Sequence, residues 1–242
     1  MDFEVLTERL ALFTGLDLLA VALLFGSWIG ATLAIEHPPK SYPSVSTLMA
    51  RYRREWMRHF VTRQPRIFDS QIISNLRQST AFFASGSMLA IGGGFALVGN
   101  ADMLSGVAED LTLGADPVVV WEIKLILMLL FAANAFLKFV WSHRLFGYCA
   151  VLMAAVPNEP DDPDAYARAA QAGEINITAA RGYNRGLRSV YFGIASSAWL
   201  LGSGALILAV LVTDGIILRR EFASVSRRVL LSHPGRNVDT QR

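Results

Sequence analysis

Residues 118–141 read VVVWEIKLILMLLFAANAFLKFVW, and their only charged side chains are Glu122, Lys124 and Lys138. An α-helix needs ~20 predominantly apolar residues to cross a hydrocarbon core ~30 Å thick. This stretch meets that requirement, and residues 10–35, 79–99 and 189–218 form three more of the same kind. The pattern predicts an all-α fold: an integral membrane bundle of four transmembrane helices in a single domain spanning 1–242. A multi-pass protein of a bacterial inner membrane is the expectation.

Composition agrees. The 242 residues are 53% hydrophobic and only 17% charged, below the ~25% usual in soluble domains. Net charge is +2, which gives no basic field for nucleic acid. The single cysteine, Cys149, excludes an internal disulfide and a multi-cysteine zinc site. Residues 1–9, MDFEVLTER, are acidic where a secretory leader would be basic, so the first apolar stretch reads as a retained span.

Arginine and lysine collect on the cytoplasmic side of membrane proteins. The connection at 36–78 carries Lys40, Arg51, Arg53, Arg54, Arg58, Arg63, Arg66 and Arg77, and the one at 142–188 carries Arg144, Arg168, Arg181, Arg185 and Arg188. The connection at 100–117 carries none, but has Asp102, Glu109, Asp110 and Asp116. The first and third connections are therefore expected inside, and four spans then put both termini outside. The basic tail, 219–242, opposes this. Gly202-Ser203-Gly204 interrupts the last apolar stretch, so a re-entrant pair of half-helices is the alternative to the favoured simple span.

Within the first connection, residues 47–63 read as an amphipathic surface helix. Met49, Tyr52, Trp56 and Phe60 share one face, and Arg51, Arg54 and Arg58 share the other, where anionic lipid headgroups are the expected partner. Arg53 interrupts the apolar face. After residue 141 the third helix is expected to project beyond the membrane until the proline-rich loop at 157–163, with a new helix starting near Asp164.

Charges inside spans are costly and need a reason. Asp17 and Lys124 lie at matching depths from the outer face, which predicts an interhelical ion pair. Lys124, Asn134, Lys138 and Ser142 form a polar stripe on one helix. Such a stripe is either a hydrogen-bonded interior or the wall of a conduit that favours anions. The four histidines, His37, His59, His143 and His233, show no metal-binding spacing. No nucleophile elbow, phosphate loop or dinucleotide fingerprint occurs. No catalytic residue, metal or cofactor is expected.

Several segments together resemble the domain-of-unknown-function family 599, a group of multi-span membrane proteins. They are REWM (54–57), RIFDSQIISNL (66–76), AFFAS (81–85), AFLKFVWSHR (135–144), YNRGLRSVYF (183–192) and RREF (219–222). The resemblance covers about residues 10–228. It departs at Tyr183, where phenylalanine is expected, and at Gly202-Ser203, near where members often carry proline. It implies an architecture and no activity. It directs attention to Asp69, Gln71, Asn75, Lys138, Arg144, Asn184, Arg185 and Arg188, which by topology gather at the cytoplasmic span ends, with Asp69 as counter-charge. The functional expectation is a non-enzymatic homo-oligomer that binds or conducts small charged solutes, anions above all. An accessory or assembly subunit of a larger membrane complex is the alternative.

Overall fold

The computed structural model describes residues 12–110 and 117–232, and every regular element among them is helical. In order they are α1 (Gly15–Glu36), α2 (Val45–Thr62), α3 (Ile67–Val98), α4 (Ala101–Asp110), α5 (Val118–Ala154) and α6 (Ala165–Ser197). A 3-10 turn (Ala198–Leu201), α7 (Ser203–Phe222) and α8 (Val225–Leu231) follow. The acidic residues 2–9, the start of the first expected span, Asp116, His233 and the tail's Arg236 and Arg242 lie outside the described residues.

Three helices, α1, α3 and α5, are long and apolar enough to cross a membrane. α3 begins twelve residues before the expected span. α5 continues past residue 141 as expected, and at ~1.5 Å per residue its 37 residues reach ~55 Å, far more than a hydrocarbon core. The fourth expected span, 189–218, is not one helix. α6 carries its first part to Ser197. The chain then tightens into the 3-10 turn, and Gly202 takes φ 110°, ψ 167° before α7 begins. A side chain at that backbone setting clashes with its own main chain, so glycine alone occupies it freely. The Gly202 N–H donates to Trp199 O at 2.9 Å and closes the turn.

The chain divides into two compact units. The first contains the described residues up to Ile29, Thr80–Val140 and Tyr183–Thr213. Its interior is aromatic. Phe131 stacks on Phe25 at 5.6 Å and meets Trp28 at 5.4 Å, while Phe139 packs on Phe83 and Tyr183. α6 admits these rings where it lacks side chains. A Cβ on Gly186 would stand 2.7 Å from Phe139, and one on Gly193 would stand 3.1 Å from Phe131. Two glycines seven residues apart thus receive two phenylalanines eight apart, and this pairing sets α5 against α6.

The second unit contains Gly30–Ser79, Trp141–Gly182 and the described residues from Asp214 onward. Its core joins Met57, Phe60 and Val61 of α2 to Cys149 and Met153 of α5 and to Ala165, Ala169 and Ala172 of α6. The alanines recur at i, i+4 and i+7, one helical stripe, and all three are essentially fully buried. That is why this segment is alanine-rich.

The buried face of α2 differs from the expected one. Met57, Phe60 and Val61 are buried, whereas Met49 and Tyr52 are exposed. Arg53 lies near the centre of the buried arc, where its guanidinium donates to Asn176 Oδ1. The residue that interrupts the apolar pattern is therefore an inward polar contact, and the helix is turned about its axis relative to the expected orientation.

The tail folds back on the first connection. Tyr42 stacks on Phe222 at 5.7 Å and donates to its carbonyl at 2.9 Å. Glu221 accepts from the Ser46 N–H and hydroxyl, both at 3.0 Å, and so satisfies a donor at the start of α2. Arg227 donates to Pro43 O at 2.9 Å and lies over the Tyr42 ring. The tail and the first connection are thus neighbours.

Replacing Gly202 with alanine is expected to destabilise the protein by about 1–3 kcal/mol through backbone strain. Gly204→Ala, where a Cβ meets nothing within 4 Å, should be neutral or mildly stabilising. Thermal unfolding of both variants in one detergent checks the contrast, and equal melting temperatures would refute it.

Candidate functional site

The second unit holds every described lysine and arginine except Lys124, Lys138, Arg185 and Arg188. Its polar groups build from the α2–α3 junction. Asp69 stands in the first turn of α3 and is fully buried. One carboxylate oxygen accepts from Arg63, the residue that ends α2, and from Trp56 Nε1 at 2.6 Å. Its second oxygen is buried without a partner. Asp69 thus pairs with Arg63, which is not one of the cations of the expected cluster.

Three residues further along, Arg66 is held differently. Its two terminal nitrogens donate to Val156 O at 2.9 Å, Pro157 O at 2.8 Å and Val61 O at 3.2 Å. The guanidinium lies 4.5 Å above the Phe60 ring, and Nε is buried with no partner. Carbonyls and a ring orient this cation but do not neutralise it. Among the described residues no carboxylate pairs with it. Arg66 lines a crevice of about 370 Å³ between α3 and the end of α5, together with Ser70, Ser74, Arg77 and Asn158, over a floor that includes Ile73 and Met153. The Ser70 hydroxyl donates to Ile67 O at 2.7 Å, leaving oxygen lone pairs only.

The other expected members of the cluster do not converge here. Gln71 and Asn75 are exposed on α3. Arg144 is exposed and donates to Tyr148 OH at 2.6 Å, one turn along its own helix. Asn184, Arg185 and Arg188 belong to the first unit, with Arg188 buried. Arg66 escaped the expected set because nothing in the chain before Pro157 signals the carbonyls that fix it.

The face expected to meet headgroups is only partly available. Arg51 and Arg58 are exposed, but Arg54 is committed to Glu174 by contacts of 2.6 and 3.2 Å. That contact holds the Glu174 carboxyl below its ordinary range and raises the Arg54 guanidinium. Both side chains are more than half exposed, so the pair adds little to stability.

In the first unit, Asp17 and Lys124 are drawn to one tryptophan. Asp17 accepts from Thr14, from Ser203 and from Trp199 Nε1, the last at 2.8 Å. The buried Lys124 ammonium lies 5.2 Å from the Trp121 ring and 5.9 Å from the Trp199 ring. Trp199 therefore offers its N–H to the anion and its face to the cation. Asn134 and Lys138 are half-buried. None of these four residues lines the 860 Å³ cavity of this unit. Ser142 spends its hydroxyl on Ala179 O at 2.6 Å within the second unit. No group of three or more metal-ligating side chains occurs among the described residues.

Truncating Arg63 to alanine would strand a fully buried carboxylate, at a cost of about 3–5 kcal/mol. Asp69→Ala leaves an arginine whose side chain is already 35% exposed, so its cost should be smaller. Chemical unfolding of the two variants checks the order, and an Asp69→Ala loss equal to or above that of Arg63→Ala would contradict it.

No curated protein and no solved structure matches the chain. A family model does, over residues 19–226, so the α1–α8 architecture with its basic crevice lies almost wholly inside the match, and the chain belongs to the family described as "Protein of unknown function, DUF599".

Proposed function

We propose that this is a non-enzymatic, multi-pass membrane protein that binds a small anion of the phosphate class in the crevice beside Arg66. The observation that carries the reading is the state of Arg66: a cation oriented by three carbonyls and a ring, neutralised by no carboxylate among the described residues, with its buried Nε unused, on the wall of an opening. Arginine suits oxyanions because its planar fork matches two oxygens at once. Arg77, Ser70, Ser74 and Asn158 line the same space, and a volume of about 370 Å³ lies within the range of small-ligand sites. Lys124, Asn134 and Lys138 of α5 are not among the residues that line the 860 Å³ cavity of the first unit, and the reading is one of binding rather than passage.

The membrane reading rests on α1, α3 and α5, with the basic second unit in the cytoplasm of a bacterial cell by the positive-inside rule. The tail's contacts with the first connection support the same side for both. The chain then crosses an odd number of times, starting outside and ending inside, with α6 and α7 going out and back. A reporter fused to the C-terminus is expected to be active only in its cytoplasmic form, and one at Asn100 only in its exported form. The same side for both fusions would overturn this topology.

For the site, Ser74→Glu places a carboxylate in the crevice at an exposed position that carries no structural contact. Calorimetric titration of the purified protein with inorganic phosphate, and separately with phosphatidylglycerol vesicles, distinguishes a free anion from a headgroup. Wild type is expected to bind at least one of them, and the variant at least tenfold more weakly, a difference of about 1.4 kcal/mol, with an unchanged melting temperature. No binding by wild type, or equal binding by both proteins, would refute the anion site.

A further inference from the structure

The first unit contains an opening of different chemistry, independent of the basic crevice. It measures about 860 Å³ and lies between α3, α5 and α6. Its walls are Phe83, Ala90, Leu125, Met128, Val190 and Ile194 with glycines between them. Three serines reach it, and each has already spent its hydroxyl proton on its own helix: Ser87 on Phe83 O, Ser189 on Arg185 O and Ser197 on Ile194 O. The cavity therefore offers an occupant no uncommitted hydroxyl donor and no charge. Water needs two to four polar partners to be held in such a space, and an apolar wall without contacts forfeits dispersion energy.

We infer that this cavity takes a single hydrocarbon chain of a membrane lipid, acyl or isoprenoid. Its position supplies the occupant. The lining runs along α3 from Phe82 to Leu97 and along α5 from Leu125 to Ala132, deep within two of the three helices able to cross a membrane. At that depth the surrounding solvent is hydrocarbon. Two of the glycines on its walls are turned toward the chain's own helices. The notch at Gly94 is already filled by Leu129, whose Cδ2 would stand 2.4 Å from an added Cβ, and Gly193 faces Phe131. The outward face of α3 instead carries large side chains, with Met88 58%, Leu89 77% and Phe95 65% exposed. Gly86 and Gly93 are different: a Cβ on either meets nothing within 4 Å. They leave room, and no described part of the chain occupies it.

The test uses full-length protein purified in mild detergent. Native mass spectrometry of wild type is expected to retain one lipid per protomer after extensive washing, and the mass of the retained species tells an acyl lipid from an isoprenoid. Gly86→Leu/Gly93→Leu fills the space and should lose that species at least tenfold, with helical content and melting temperature preserved. A wild type that retains none, or a variant that retains as much, overturns the proposal. So does a wild-type dimer that the double variant dissociates, because the cavity would then seat a second copy. A second measurement needs only wild type, in phosphatidylglycerol vesicles with a diazirine at the acyl terminus. Crosslinks at the inward Ser87 as well as the outward Leu89 support the inference, and crosslinks confined to Leu89 refute it.

Discussion

Charge is expensive in hydrocarbon, by about 2.5–3.5 kcal/mol for each lysine, arginine or aspartate at a helix centre even on insertion-based scales. That cost organises this chain. The described cations are confined to the second unit with four exceptions, two of which, Lys124 and Arg188, are buried. The Lys124 ammonium lies over two indole faces, and one of these, Trp199, donates its N–H to the Asp17 carboxylate. The turn that carries Trp199 exists because Gly202 can take a backbone setting closed to other residues. Breaking the last apolar stretch therefore does two things at once. It redirects the chain, and it delivers an aromatic N–H and a serine hydroxyl to Asp17.

What could be read from the sequence is what depends on local pattern. Apolar run length identified α1, α3 and α5, and the proline-rich loop correctly separated α5 from α6. The amphipathic helix was legible in extent, but its orientation was not. Arg53 is polar by type and inward by position, and its partner there is Asn176, 123 residues away. The Asp17–Lys124 expectation was a direct ion pair, whereas the contacts observed run from each of the two residues to Trp199, which charge matching alone does not single out. Asp69 was expected to balance the cluster cations, whereas its partner Arg63 sits only six residues back, across the end of a helix, where helical spacing rules do not apply. Long-range carbonyl contacts such as those of Arg66 leave no trace in residue type, because every residue has a carbonyl.

The two candidate sites separate on a single criterion: which polar groups have already been used. At the crevice, the buried Nε–H of Arg66 is uncommitted, and among the described residues no carboxylate balances its charge. At the apolar cavity, every serine proton is committed to a backbone carbonyl one turn away. A serine bonded to its own helix presents little more than its methylene to the outside, so the count of polar residue types on a wall overstates its polarity. By type, both openings contain serine. By bonding, only the crevice keeps an uncommitted N–H, that of Arg66 Nε. Glycine needs the same discrimination. Gly94, Gly186 and Gly193 are each required by a neighbour that an added Cβ would crowd, whereas Gly86 and Gly93 face open space. A helix gains nothing in stability from glycine where nothing approaches it, and loses about 1 kcal/mol relative to alanine. Two such losses on one wall, at the edge of a cavity this helix helps to form, are accounted for if something outside the chain fills the room they leave.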